Sequence, residues 1–137
     1  MGVCIYATHS TDEFYMGYGG FFNLRKNIAM ILDNDFGENY ANLIFCHTEA
    51  EYAENDKVAN EIIANKKLDT DIIQFLYLSD TNGEIGYKVC KKIYDLIKDV
   101  DFGKKGFRYA AYQQNDYEDF KDFLKECYQH HRKMRWS

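Results

Sequence analysis

The chain contains no proline, although 137 residues would ordinarily carry several. Proline-rich recognition motifs and proline-stopped helices are thereby excluded, and element boundaries fall to Gly, Asn and Asp. The four cysteines, Cys4, Cys46, Cys90 and Cys127, are scattered and form no CxxC pair, unlike a disulfide-stapled secreted scaffold. No stretch approaches the ~20 apolar residues of a membrane span. The opening MGVCIYATHS lacks the basic and apolar regions of a signal peptide, and its sixth residue is Tyr where a myristoylation signal needs Ser or Thr. A cytoplasmic protein with no membrane partner is expected. Also missing are the P-loop, GxGxxG, GxSxG, HExxH and zinc-deaminase patterns. No cofactor is therefore expected.

What is present is enough for a core. Apolar residues make up 46% of the chain, and the aromatics include 12 Tyr and 10 Phe, side chains whose large apolar area demands burial or a partner. The length suits a single domain spanning 1–137. Val3, Ile5 and Ala7 alternate with Cys4, Tyr6 and Thr8, the period of a strand, and a second strand over 14–18 returns after a polar turn. Gly19-Gly20 then breaks the chain before a helix with Phe21, Leu24, Ile28 and Ile31 on one face. The middle third reads as helical: one segment near 38–47, and one opened by the capping box Thr48-x-x-Glu51 and carrying Val58, Ala59, Ile62 and Ile63. A short one capped by Asp69 follows, then one running through Ile85, Val89, Ile93 and Leu96. A strand over 107–112, a helix opened by Asn115-x-x-Glu118 with Phe120, Phe123, Leu124 and Cys127 inward, and a last strand at Lys133, Met134, Arg135 and Trp136 complete the chain. The expected fold is α+β: a small, mostly antiparallel sheet from N- and C-terminal strands, with a helical middle packed on one face.

Several constellations invite chemical readings. Asp80, Asn82 and Gly83 match positions 3, 5 and 6 of an EF-hand loop, but Leu78 and Val89 fall where positions 1 and 12 need oxygen ligands. A turn with Gly83 at positive φ and a Thr81–Glu84 capping box is the better reading. Cys127, His130 and His131 share one side of a helix, with Cys46 and His47 as possible further zinc ligands. Nothing brings these segments together in sequence, so Cys127 reads as core and the histidines as a helix end. No metal is expected. His9 beside Ser10, Thr11 and Asp12 is the densest polar cluster at a strand end, and it names the site for a third-ranked reading as an enzyme.

Charge is more informative. Between 27 and 56 there are seven acids, Asp33, Asp35, Glu38, Glu49, Glu51, Glu54 and Asp56, and no Lys or Arg. From 88 onward, 12 Lys/Arg stand against 8 acids. An acidic face repels nucleic acid and is drawn to basic protein surfaces, so direct nucleic-acid binding is not expected. A second reading sequesters a small nucleotide-like molecule. Tyr15, Tyr18 and Tyr112 would stack on its base, while Arg25, Arg108 and the Gly19-Gly20 turn held phosphate.

The succession of a strand, GY-x-x-F-x-x-LR (from Gly17), LSDTNGEI (from Leu78), CKKIYDLI (from Cys90), DF-x-x-FLKEC (from Asp119) and a basic terminal strand resembles a group of small uncharacterised proteins of Gram-positive bacteria and their phages. Their central turn commonly reads Ser-Asp-Cys-Asp-Gly, often after His, where this chain has Leu78-Ser79-Asp80-Thr81-Asn82-Gly83. The resemblance carries no activity with it. It implies a phage or mobile-element setting, where small proteins that block host defence are frequent. The leading expectation is accordingly an accessory protein that binds and blocks a host protein through its acidic face.

Overall fold

A computed structural model describes residues 2–105, 107 and 114–137. Elements run β1 (Gly2–Ala7), β2 (Glu13–Gly17), α1 (Tyr18–Leu32), α2 (Asn34–Ile44), α3 (Glu49–Lys66), α4 (Thr70–Tyr77), β3 (Gly83–Ile85), α5 (Tyr87–Ile97), α6 (Gln114–Gln129) and β4 (Met134–Trp136). The four strands form one antiparallel sheet in the order β2-β1-β4-β3. Val3, Ile5 and Ala7 are buried beneath the helices while Cys4 and Tyr6 face outward, as the alternation predicts. The fold is α+β, its sheet built mainly from strands at the two ends of the chain.

β3 is the strand that periodicity misses. Ile85 belongs to it rather than to the following helix, which starts only at Tyr87. Three residues are too few for an alternation to show, and β3 exists because β4 pairs with it, Glu84 opposite Arg135 and Ile85 opposite Met134. Glu84 is accordingly no capping residue. Its carboxylate binds Lys133 (2.9 Å) and Arg135 (3.1 Å) on the outer face of the sheet, and these bonds, Lys133 first, hold its pKa below the usual value. Gly83 has no positive φ. It is glycine because a Cβ there would stand 2.1 Å from the Trp136 ring.

One further boundary moves. The second helix begins at Asn34, because Asp33 both ends α1 and caps α2 by accepting from the Phe36 amide (2.9 Å). The last, described over Gln114–Gln129, already includes Asn115, the expected opening residue. Asp69 caps α4 and the Thr48–Glu51 box caps α3, as read. The expected strand over 107–112 lies outside the described residues except for Phe107.

α1 is the central helix, touching β1, β2, α2, α4 and α5. Its approach to α2 is close: a Cβ on Gly37 would lie 2.6 Å from the Met30 Cα. Backbone cannot yield as a side-chain tip can. Gly37→Ala, normally favourable inside a helix, is therefore expected to destabilise the protein by about 1–3 kcal/mol, measured by urea unfolding. A stabilised variant would mean the two helices have slack.

α3 is set apart. It packs chiefly on α2, and of its 18 residues only Ala59 is buried. Val58, Ile62 and Ile63 are half-buried, and residues 49–54 are all exposed. Among the described residues, no helix is long and apolar enough to cross a membrane.

Candidate functional site

Polar groups converge where α4 ends. This eight-residue helix turns Ile72, Ile73, Phe75 and Leu76 into the core, so its last carbonyls emerge in a buried place where water cannot serve them. Side chains from three other elements do so instead. Arg25 Nη2, from α1, donates to the carbonyls of Phe75 (3.0 Å), Leu76 and Leu78. The Tyr40 hydroxyl, from α2, donates to Leu76 (2.9 Å), and Trp136 Nε1, from β4, donates to Ser79 (2.8 Å). A cation at a helix C-terminus also matches the helix dipole.

Arg25 is only 3% exposed. Its guanidinium lies 5.2 Å and 5.6 Å from the centroids of Phe21 and Phe75, and its Nε has no hydrogen-bond partner. No carboxylate makes a salt bridge with it among the described residues. Burial lowers its pKa, opposed by the neighbouring Tyr40 and Asp80, yet guanidinium is basic enough to stay charged at neutral pH. Burial raises the Tyr40 phenol and pushes Tyr77 up to about 12, so both rings remain neutral.

Beside this network opens a cavity of about 270 Å³. Phe22, Tyr40, Ile44 and Tyr77 wall it, Arg25 lines it from the core side, and the exposed Asp80 stands on its rim. The surface around it is unusually apolar. Ile44 is 44% exposed, Phe45 62%, Tyr52 52% and Tyr77 43%. Phe45 packs edge-on to Phe22 (5.2 Å), Tyr77 lies 5.9 Å from Tyr40, and Asp56 and Tyr52 act on Tyr77 from α3.

No family model, curated protein or solved structure matches this chain. The site is therefore read from its own geometry.

The acidic residues divide into two groups. Asp33 and Asp35 are tied to Lys66 at the far end of α3, at 3.0 Å and 2.8 Å. Burial is the largest single influence on Asp33 and pushes its pKa up, but the Phe36 amide and Lys66 together outweigh it and hold the carboxyl below its ordinary value. Glu51 is engaged by the His47 amide (2.9 Å) as part of the cap. Among the described residues, Glu38, Glu49, Glu51, Glu54 and Asp56 of the acidic run make no ion pair, and neither does Asp80 on the cavity rim.

The residues expected to hold a nucleotide do not converge. Tyr15 pairs with Cys4 on the outer face of the sheet, whereas Arg25 is buried on the helix side. Tyr18, Gly19 and Gly20 form the first turn of α1 rather than a break before it, and Gly19 opens to solvent. Arg108 and Tyr112 lie outside the described residues. Only Arg25 lines the cavity, with Tyr40 and Tyr77 in place of the expected tyrosines. No periodicity in the sequence marks which aromatics border a cavity.

The remaining constellations are dispersed. Cys127 faces Cys90 across the α5–α6 contact, and both thiols are free and buried. His130 pairs with Glu126 (3.1 Å), and His131 stacks on Tyr87 (4.4 Å between centroids). Among the described residues no group of three or more His, Cys, Asp or Glu side chains is placed to hold a metal ion. His9 sits in the β1–β2 turn at φ 57° without a hydrogen bond to Ser10, Thr11 or Asp12.

Proposed function

We propose that this protein is an accessory protein of the phage or mobile-element kind that binds and blocks a host protein. Its contact surface would be the aromatic, acid-rimmed region where α2, the start of α3 and the end of α4 meet. One observation carries this reading: among the described residues, four of the five large apolar side chains left exposed, Ile44, Phe45, Tyr52 and Tyr77, belong to that region. Scattered surface apolar residues need no explanation, but a cluster of them marks interaction sites. Aromatic anchors at the centre with charge at the rim are the anatomy of protein interfaces. Glu49, Glu54, Asp56 and Asp80 supply that rim and would steer a basic partner. The exposed first turns of α3 contribute little to the core, which suits a segment kept for contact.

The test compares capture of host proteins by the parent and by two variants, Glu49→Lys/Glu54→Lys/Asp56→Lys and Phe45→Ala/Tyr52→Ala. A genuine partner should be retained by the parent and released by salt. Both variants should lose it, with affinity falling by roughly 30-fold or more for an aromatic hot spot. Unchanged circular dichroism would show that the variants fold. A partner that tolerates the charge reversal would sink the acidic-face reading.

A second reading, capture of a small molecule, is favoured by the cavity beside Arg25. At about 270 Å³ it falls just below the range of roughly 300–1,000 Å³ typical of drug-sized ligands. With Asp80 on the rim, it suits something smaller and less charged than a nucleotide.

A further inference from the structure

We propose that the cavity walled by Phe22, Ile44 and Tyr77 is the anchor pocket of the docking surface, and that the partner fills it with one uncharged aromatic side chain flanked by Lys or Arg. This rests on the docking reading above and names what the partner must present.

The open part of the wall decides what enters. Arg25, Tyr40 and Leu76 line the cavity but are buried, so a guest meets the side chains around them. These are Phe22 and Leu78, both half-buried, and the exposed Ile44 and Tyr77. Two rings and two aliphatic groups suit an aromatic guest, through edge contacts and close packing. At about 270 Å³ the space falls below the roughly 300 Å³ at which sites for drug-sized ligands begin, and it matches one large side chain. Anchors of that kind, seated in a pocket, carry most of the energy of protein interfaces.

Charge sorts the guests further. The core side carries one fixed positive charge, Arg25, whose carbonyl partners are neutral. Its field acts without contact, because low-dielectric surroundings screen it poorly. A Lys or Arg inserted head-first would bring like charge toward it. An anionic anchor would have to pass the acidic rim to approach a guanidinium that is itself buried. The anchor is therefore uncharged. The rim has the opposite sign: Asp80 lines the cavity, and Asp56 acts on Tyr77 from α3. Neither carboxylate makes an ion pair among the described residues. Glu49 and Glu54 extend the negative charge along the exposed start of α3. Cations beside the anchor meet acid, and acidic flanks are repelled.

The experiment uses the full chain and capped peptides: Lys-Lys-Phe-Lys-Lys, the same peptide with Ala or Arg at its centre, and Glu-Glu-Phe-Glu-Glu. Acetyl-phenylalanine amide supplies the anchor alone. The readout is the NMR signals of Ile44 and Tyr77. The Phe-centred basic peptide should saturate them at about millimolar concentration, and every other probe should bind at least about tenfold more weakly. Ile44→Trp, at an exposed position, should fill the cavity and abolish the effect at Tyr77. Asp80→Lys should weaken binding at least about threefold and flatten its salt dependence. Asp119→Lys/Asp122→Lys, in the acid-lined groove between β2 and α6, should leave binding unchanged. Circular dichroism would show that each variant folds. An Arg-centred peptide binding as tightly as the Phe-centred one would overturn the proposal, as would no saturable shift at about ten millimolar peptide. Equal binding of the free anchor would make the cavity a small-molecule site instead. Self-association of the chain that Ile44→Trp abolishes would assign the surface to a second copy. Capture of a host protein with no preference among the peptides would keep the docking reading and discard this one. The peptide preference without any captured host protein would do the reverse.

Discussion

Replacing Trp136 by alanine is expected to cost about 3–5 kcal/mol of folding free energy, the range for removing a large buried aromatic. The ring is 1% exposed and does three things at once. It packs on Phe21 and Phe75, with centroids 5.6 Å and 5.7 Å away. It covers Gly83, where β3 begins, and its Nε1–H holds the Ser79 carbonyl. Alanine would leave a cavity among α1, α4 and the sheet, whereas Trp136→Phe would keep most of the apolar contact and lose mainly the hydrogen bond. That milder variant should cost about 1 kcal/mol beyond its loss of size. Urea unfolding would separate the two. If both variants unfolded at the same urea concentration, the hydrogen bond would carry the effect and the packing would carry little.

Arg25→Met is the second large effect, with an expected loss of about 3–5 kcal/mol. Methionine replaces the stem but donates nothing. Exchanging a buried ion pair for apolar residues can be neutral when both partners are exchanged. Here the partners are backbone carbonyls of Phe75, Leu76 and Leu78, and no substitution removes them. Tyr40 still reaches Leu76 and the Leu78 amide still donates to Phe75 (3.3 Å), so the acceptor left unmet would be that of Leu78. Arg25→Lys should fall between the two, since one ammonium keeps a charge near the helix end without the planar fork. The clearest sign would be faster amide exchange over α4 and the turn after it. Parent-like stability in Arg25→Met would mean that water entering through the cavity serves those carbonyls.

What sequence revealed and what it hid follow one physical division. Local patterns repeat over several residues, and they placed β1, α1, α4, α6 and the two caps at Thr48 and Asp69 well. Long-range pairing leaves no local trace. β3 reads as the start of a helix because Ile85 stands four residues before Val89. Gly83 was assigned a turn conformation because the ring that excludes its side chain lies far away in the chain, at Trp136. Sequence alone groups Arg25 with Tyr15 and Tyr18, which the fold places on the outer sheet face and in the first turn of α1. Neither Tyr40 nor Tyr77 could be matched to it without knowing that α2 and α4 meet over α1. The seven carboxylates were read as one face because Lys66, which neutralises two of them, lies outside the acidic run.

The sheet order has a consequence for how the protein comes into being. β4, the last of the four described strands along the chain, occupies an interior place between β1 and β3. Until Trp136 has emerged, β3 has no neighbour, the Ser79 carbonyl has no donor, and the wall of the cavity beyond α4 is unsupported. The β1–β2 hairpin and the α1–α2 pair can assemble while the chain is still growing, but the candidate site cannot. Its completion waits on β4, and a chain cut short before β4 would lack a central strand rather than a trimmed edge.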